Sequence, residues 1–95
     1  MSDDPVRNPL FHNWTKAYLP YCDGSFHMGR VENPVSYQGN DLYFRGEDNT
    51  KASLNYLQER FDIYNADSLI VSGLSAGSIA SRMWGNQIYH NSTKK

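Results

Sequence analysis

One short segment of the sequence combines residue types that are suited to nucleophilic catalysis. Residues 73–77, Gly-Leu-Ser-Ala-Gly, fit the G-x-S-x-G pattern, in which a sharp turn between a strand and a helix lifts a serine hydroxyl clear of a sheet. Gly73 and Gly77 are expected to prevent clashes with the adjoining strand and helix. The pattern predicts Ser75 as a nucleophile for acyl transfer, with the Ala76 amide as a donor to the oxyanion. The alternative is a tight structural turn, since glycine and serine are common in loops.

A serine nucleophile needs a general base, and that base needs a carboxylate to orient it. In α/β-hydrolases the acid and the histidine follow the serine along the chain. Residues 76–95 contain no aspartate or glutamate, and His90 is their one histidine. A continuous helix would place His90 roughly 20 Å from Ser75, so it is predicted to be a surface histidine. His12 and His27 precede the serine, and the triad is therefore predicted to be incomplete.

Two elements must position Ser75, a strand before the turn and a helix after it. Residues 68–72, Ser-Leu-Ile-Val-Ser, are rich in branched apolar side chains, which predicts a strand buried on both faces. A helix is predicted from about residue 78 to residue 84 or beyond. This strand–turn–helix setting is what the G-x-S-x-G pattern requires.

The first part of the chain is predicted to contribute a second strand and a second helix. Residues 17–21 indicate a short strand, and residues 29–41 contain so many turn-forming residues that little regular structure is expected there. Residues 49–61 indicate an amphipathic helix, capped by Asp48 or Asn49. The apolar stripe of this helix consists of Leu54, Leu57 and Phe61. The order predicts an α/β class with a βαβα unit, parallel strands and a right-handed crossover.

Composition limits the function classes. A chain of 95 residues forms one domain at most, and its net charge of −1 without a basic cluster argues against nucleic acid as a partner. The chain lacks an apolar run of about 20 residues, so no membrane span is predicted. The first ten residues are polar and contain two prolines, so no signal peptide is predicted. We therefore expect either a cytosolic protein or a true N-terminus that lies outside this sequence.

Cysteine and histidine usage predicts neither an internal disulfide nor a metal site. Cys22 is the single cysteine, and we expect either a small buried apolar residue or a half-cystine whose partner lies outside this sequence. The four residues that could bind a metal show no known ligand spacing, so no metal and no cofactor are predicted. They are His12, Cys22, His27 and His90.

Four segments, taken together in their order and spacing, resemble the pectin acetylesterase/Notum-like family of serine carboxylesterases. They are residues 8–14 (Asn-Pro-Leu-Phe-His-Asn-Trp), 21–26 (Tyr-Cys-Asp-Gly-Ser-Phe), 42–46 (Leu-Tyr-Phe-Arg-Gly) and 72–77 (Ser-Gly-Leu-Ser-Ala-Gly). The resemblance covers about residues 8–84, and it identifies residues 1–95 as a partial domain of α/β-hydrolase type. The family's Gly-Gly-Trp-like oxyanion motif, its aspartate and its histidine have no counterpart in this sequence.

The resemblance implies hydrolysis of an ester, which releases acetate from a polysaccharide or a fatty acyl group from a protein. Ser75 matches the family nucleophile, and Ala76 matches the residue whose amide joins the oxyanion hole. Asp23 and Ser25 would lie at the edge of the pocket, although their simpler role is turn formation. The expected location is extracellular, which agrees with two N-glycosylation sequons.

The sequons begin at Asn13 (Asn-Trp-Thr) and Asn91 (Asn-Ser-Thr). Two residues close to Ser75 depart from the family pattern. Leu74 stands where a small or sulfur-bearing residue is usual, and Ser78 stands where a second glycine is frequent. Arg45 is expected to cap or pair near the start of the first helix, rather than to bind a substrate carboxylate.

Three functional hypotheses follow. The first is the nucleophile-bearing segment of an esterase, inactive alone because the acid and base are absent. The second is a non-catalytic remnant that binds a glycan or a protein through exposed aromatic residues. The third is a small acyltransferase-like domain that completes its site with another chain. Two parallel strands and two helices would leave sheet edges unpaired, so we expect the isolated chain to be marginally folded or to aggregate.

Overall fold

Two helices of equal length are the main elements of the computed structural model, which describes residues 1–94. Helix α1 spans Gly46–Phe61 and helix α2 spans Ala76–Asn91. A short antiparallel hairpin precedes them, with strand β1 at Val35–Tyr37 and strand β2 at Asn40–Leu42. A single 3-10 turn at Ile63–Asn65 follows α1. No described helix is both long enough and apolar enough to cross a membrane.

Helix α1 begins at Gly46 with Arg45 as its N-cap, so the assignment of Asp48 or Asn49 as N-cap is wrong. Gly46 is buried at the first position of the helix, where a Cβ atom would lie 2.4 Å from Ser25 Oγ. The Glu47 amide also donates to the Gly29 carbonyl at 3.0 Å. The helix therefore starts where its backbone meets the loop of residues 23–29, a contact that local propensity does not report.

The apolar core lies on one face of each helix. Its members are Leu54 from α1 and Ala80, Trp84 and Ile88 from α2. These α2 residues follow at intervals of four, which places them on one stripe of the helix. The predicted stripe of α1 is confirmed only in part, because Leu54 is buried whereas Phe61 is 55% exposed.

The carbonyl of His27 joins the loop of residues 23–29 to both helices. Trp84 Nε1 donates to the His27 carbonyl at 3.0 Å, and Thr50 Oγ1 donates to the same oxygen at 3.2 Å. Both donors are buried, so each would be costly to leave without a partner. This shared acceptor fixes α1 and α2 against one backbone position.

The hairpin corrects the expectation of little regular structure across residues 29–41. Gln38 and Gly39 both have positive φ, at 48° and 78°. Positive φ at both central residues is required by the type of two-residue hairpin turn whose twist matches that of the strands. The pairing places Tyr37 opposite Asn40 and Val35 opposite Leu42. All six strand residues are exposed, so the turn, rather than burial, defines this hairpin.

The predicted parallel βαβα arrangement is not confirmed. Residues 17–21 and 68–72 belong to no strand in the described part of the chain, and the sheet that does form is antiparallel. The physical reason is that a strand requires a partner for its backbone groups. Residues 68–72 make no backbone hydrogen bond with the described residues, and Ile70 is 55% exposed.

Cys22 is exposed and free, so the expectation of a buried apolar cysteine is wrong. Its thiol makes a long contact of 3.6 Å with the Pro20 carbonyl. No cluster of metal-binding side chains occurs among residues 1–94.

We predict that Trp84→Ala abolishes the folded state of the isolated chain. The substitution removes a buried indole and leaves the His27 carbonyl with one donor fewer, and a core Trp→Ala change costs about 3–5 kcal/mol. Such a loss is comparable to the whole stability that a core of this size supplies. The expected result is loss of the near-ultraviolet circular dichroism signal and of any cooperative thermal transition.

The matched control is Met83→Ala, since Met83 is the preceding residue of α2 and is 62% exposed. Met83→Ala should retain the wild-type spectrum and transition. A Trp84→Ala chain that melts as cooperatively as Met83→Ala would contradict the assignment of the core.

Candidate active site around Ser75

Ser75 has a backbone conformation that residues with a side chain rarely adopt. Its φ is 57° and its ψ is −119°, at the start of helix α2 and just after residues 68–72, which have no regular secondary structure. Such conformations cost of order 1–3 kcal/mol and persist only where the surrounding structure imposes them. Ser75 itself is exposed. The structure thus has a sharp bend at the serine.

Gly73 is required by the close approach of the two sides of this bend. A Cβ atom at residue 73 would lie 2.2 Å from both the carbonyl carbon and the carbonyl oxygen of Gly77. A Cβ atom at residue 77 would meet no atom within 4 Å. The predicted reason for glycine therefore holds at position 73 and is wrong at position 77.

The amino end of α2 leaves the Ala76 amide available. Within the described residues, the amides of Gly77, Ser78 and Ile79 donate to the carbonyls of Leu74 or Ser75, whereas no such bond involves the Ala76 amide. The Ser75 side chain makes no capping hydrogen bond either. The free amide lies at the positive end of the helix dipole, which favours a developing negative charge.

None of the three histidines contacts Ser75. His90 is exposed at the last turn of α2, as predicted, and its ring lies edge-on to Tyr89 at 5.9 Å. His27 stacks on Tyr21 at 5.0 Å, and His12 Nδ1 lies 3.2 Å from the Asn8 carbonyl. The described residues therefore bring no histidine to the serine.

Asp23 and Ser25 form a turn that supports α1. Asp23 accepts hydrogen bonds from the Ser25 amide at 3.0 Å and the Ser25 hydroxyl at 2.6 Å. Ser25 Oγ in turn accepts from the Gly29 amide at 3.1 Å. These contacts show that both residues take part in a turn, which is one of the two roles that the sequence left open.

The pKa of Asp23 lies below its ordinary value. Burial acts to raise this pKa, but hydrogen bonds from the Ser25 side chain and amide, and from the amides of Arg45 and Gly46, outweigh it. Because Arg45 and Gly46 stand at the start of α1, the Asp23 carboxylate faces the positive end of that helix. Arg45 itself donates to the Glu32 carbonyl at 2.7 Å, which agrees with a pairing role near the helix start.

Two concave regions of the described chain do not include Ser75 in their lining. An open cleft of about 740 Å³ is lined by Cys22, Asp23, Tyr43, Arg45 and Asn49 together with their neighbours. A smaller one of about 170 Å³ lies between residues 63–71 and the second half of α2. Asp23 thus borders a cleft, but this cleft does not include the serine.

Sequence reasoning missed the residues that hold the loop of residues 23–29 in place. Thr50 was not singled out, and Trp84 was assigned only to the end of a helix. Nothing in the sequence around Thr50 or around Trp84 indicates that these two side chains donate to the same carbonyl oxygen. Only the fold reveals that both side chains reach one carbonyl.

The chain belongs to the pectinacetylesterase family, whose profile matches residues 1–94. It is 38% identical over 81 residues to pectin acetylesterase 5 of Arabidopsis thaliana, and the alignment covers 85% of this chain and 18% of the relative. It is 41% identical over 76 residues to pectin acetylesterase 7 of the same plant, and this alignment covers 78% of this chain and 18% of the relative. The chain thus spans about a fifth of the length of these relatives. No solved structure matches it significantly.

We predict opposite effects for alanine at the two glycines of the bend. Gly73→Ala forces a Cβ atom into the Gly77 backbone and should destabilise the chain by about 1–3 kcal/mol. Gly77→Ala enters open space at the start of a helix and should be neutral or stabilising by up to about 1 kcal/mol. Urea denaturation measures both effects, and amide chemical shifts of Ser75 and Ala76 should move only in the Gly73→Ala chain. Equal midpoints for the two variants would show that the bend is not close-packed.

We also predict that the Asp23 charge makes its full contribution to stability only above its unfolded-state pKa. The folded pKa is lowered from 3.8, so the contribution is complete above about pH 4 to 5 and is lost as pH falls through the folded pKa. Asp23→Asn keeps an acceptor for Ser25 but removes the charge, and should cost about 0.3–1 kcal/mol at pH 7.

The measurement is the melting temperature between pH 2 and pH 7 for wild type, Asp23→Asn and the control Asp41→Asn, which alters an exposed carboxylate on β2. The gap between wild type and Asp23→Asn should close at the acid end, whereas Asp41→Asn should follow wild type throughout. A gap that is constant across this range would rule out the charge as its cause.

Proposed function

We propose that this chain is the nucleophile-bearing segment of a serine carboxylesterase that removes acetyl groups from an acetylated, pectin-like polysaccharide. The observation that carries the proposal is the bend at Ser75, whose strained backbone presents an exposed hydroxyl beside the free Ala76 amide. Membership of the pectinacetylesterase family supports the same chemistry.

In the proposed reaction, Ser75 Oγ attacks the carbonyl carbon of an acetyl ester while a general base accepts the hydroxyl proton. The oxyanion that develops receives a hydrogen bond from the Ala76 amide, and one such donor is worth about 2.7–4 kcal/mol of transition-state stabilisation. The bond between the acetyl carbon and the sugar oxygen then breaks, and the sugar leaves with the proton. Water hydrolyses the acetyl-serine and releases acetate.

The base and the acid of this reaction are not supplied by residues 1–95. Residues 76–95 contain no carboxylate side chain, and His90 lies at the far end of α2. Since the chain spans 18% of the relative that it matches over 81 residues, we place both groups in polypeptide outside this sequence. The isolated chain is accordingly proposed to be inactive.

We further propose that residues 68–72 become a buried parallel strand once neighbouring strands are present. These residues are exposed and make no backbone hydrogen bonds to the rest of the described chain. Pairing would satisfy their amides and carbonyls and cover their branched side chains. It would also hold the bend at Ser75 from the strand side, as a βαβα unit requires.

Two features of the relatives direct the choice of substrate and location. The matched plant proteins are named pectin acetylesterases, which favours a polysaccharide over an acylated protein, and no observation favours the latter. An enzyme that acts on such a polysaccharide works outside the cell, so we propose an extracellular protein. The exposed Tyr43 in the open cleft is the observation that supports the second candidate, a non-catalytic glycan-binding module.

We predict that hydrolysis depends on Ser75 only when the missing groups are supplied. The 95-residue chain and its Ser75→Ala variant should hydrolyse p-nitrophenyl acetate at the same background rate. A chimera, in which the aligned part of this chain replaces the matching 81 residues of pectin acetylesterase 5, should release acetate from acetylated pectin. Ser75→Ala in that chimera should lower the rate by at least about a thousandfold.

The control is Ser78→Ala, which removes an exposed hydroxyl one helical turn away from the bend. This variant should keep the rate of the parent chimera. A folded chimera that binds acetylated pectin but shows no Ser75-dependent release would reject the esterase and favour the glycan-binding module. A large drop for Ser75→Ala in the isolated chain would show that these residues already contain a base.

A further inference from the structure

The turn that carries Asn13 is defined by short-range hydrogen bonds near the amino end of the chain. The Trp14 amide donates to the Phe11 carbonyl at 3.1 Å, which closes the turn around Asn13. The Asn8 side chain accepts from the Phe11 amide at 3.3 Å, and the Asn8 carbonyl accepts from the His12 amide at 3.0 Å. The backbone on either side of Asn13 is therefore held locally.

Lys16 fixes the same turn through the two residues that flank Asn13. Its Nζ atom donates to the His12 carbonyl at 2.9 Å and to the Trp14 carbonyl at 3.1 Å. The ammonium group is also paired with Asp3 at 2.6 Å, and the Lys16 side chain is 17% exposed. The largely buried Lys16 ammonium thus stabilises the turn around Asn13.

Asn13 is exposed on this turn, and its side chain makes no hydrogen bond with the described residues. Thr15, the hydroxyl residue of the Asn-Trp-Thr sequon, is also exposed and likewise makes none. An exposed Asn-x-Thr sequence in a turn is an acceptor for N-linked glycan in a secreted protein. Both groups that define the acceptor are consequently available.

Phe11, two residues before Asn13, supplies a surface for a sugar. Its ring and that of Trp14 meet edge-to-face at a centroid distance of 4.9 Å, and both residues are 37% exposed. The apolar face of a pyranose can cover such an aromatic surface and remove it from water. A glycan on Asn13 would begin beside this pair.

We propose that Asn13 is the N-glycosylated residue of this chain and that the first N-acetylglucosamine packs against the Phe11–Trp14 pair. In the modification, the Asn13 side-chain nitrogen bonds to the anomeric carbon of a lipid-diphosphate-linked oligosaccharide. The bond from that carbon to the phosphate oxygen breaks, the lipid diphosphate leaves with the electron pair, and the amide loses one proton. The inference rests on the extracellular location under Proposed function, but not on the chemistry of Ser75.

The second sequon is built differently. Asn91 is the last residue of α2, and the Thr93 amide donates to the Tyr64 carbonyl at 2.8 Å. The Thr93 hydroxyl donates to the same carbonyl at 3.2 Å and contacts Asn65 Oδ1 at 2.9 Å. Because these bonds occupy the threonine and the helix holds the asparagine, we assign no glycan to Asn91.

The test directs the full chain into the secretory pathway of a eukaryotic host with an added cleavable signal peptide. A long polar tag after Lys95 ensures that Asn91 is not disfavoured merely by lying near the end of the chain. The secreted protein is weighed by intact mass spectrometry before and after removal of N-glycans with an amidase. Variants are Asn13→Gln, Asn91→Gln and Phe11→Ala, with Val6→Ala as control for an exposed apolar residue.

Wild type and Asn91→Gln should each carry one glycan, and Asn13→Gln should carry none. Phe11→Ala should lower the glycosylated fraction relative to Val6→Ala. An unmodified wild type, a glycan on Asn91, or equal occupancy for Phe11→Ala and Val6→Ala would overturn the proposal. Because the added signal supplies the route, these results are independent of whether the Ser75 chimera hydrolyses pectin.

Discussion

The structure depends on one backbone oxygen, the carbonyl of His27, which accepts from Thr50 on α1 and from Trp84 on α2. The interaction matters because the apolar core is small, and its buried members all come from these two helices. Hydrogen bonds to a shared acceptor depend on direction, so they fix the orientation of the two helices more strictly than apolar contacts do. It ties the loop of residues 23–29 to the helix whose amino end adjoins Ser75.

The same loop sets the start of α1 and thereby the position of Asp23. The Ser25 hydroxyl fits against two glycines, Gly29 and Gly46, at distances that no Cβ atom would tolerate. Burial acts to raise the pKa of the Asp23 carboxyl, but hydrogen bonds from Ser25, and then from the amides at the start of α1, bring this pKa below its ordinary value. Residues that the sequence placed at a pocket edge thus contribute first to architecture, although Asp23 also borders the open cleft.

The bend at Ser75 differs in kind from the rest of the fold, since its geometry is formed almost entirely by residues 73–79. Strain at the serine is tolerated because Gly73 lets the chain pass close to Gly77 and because α2 follows at once. Residues 68–72 contribute little in this structure, where their apolar side chains remain exposed. A stable strand needs hydrogen-bond partners from other segments, and residues 68–72 have no such backbone partner in the described part of the chain.

The sequence by itself determined the turn after residue 72, the helix that follows it, the exposure of His90 and the family. These features depend on local sterics, helical periodicity and motif spacing, all of which can be read from residues close together in the sequence. Only the tertiary structure decided the start of α1 at Gly46, the exposure of Cys22 and the shared acceptor at His27. The hairpin was missed because Gln38 gives no strong signal for the positive φ that its turn requires. Residues 17–21 and 68–72 form no strand in the described part of the chain, because strand propensity does not supply a hydrogen-bond partner.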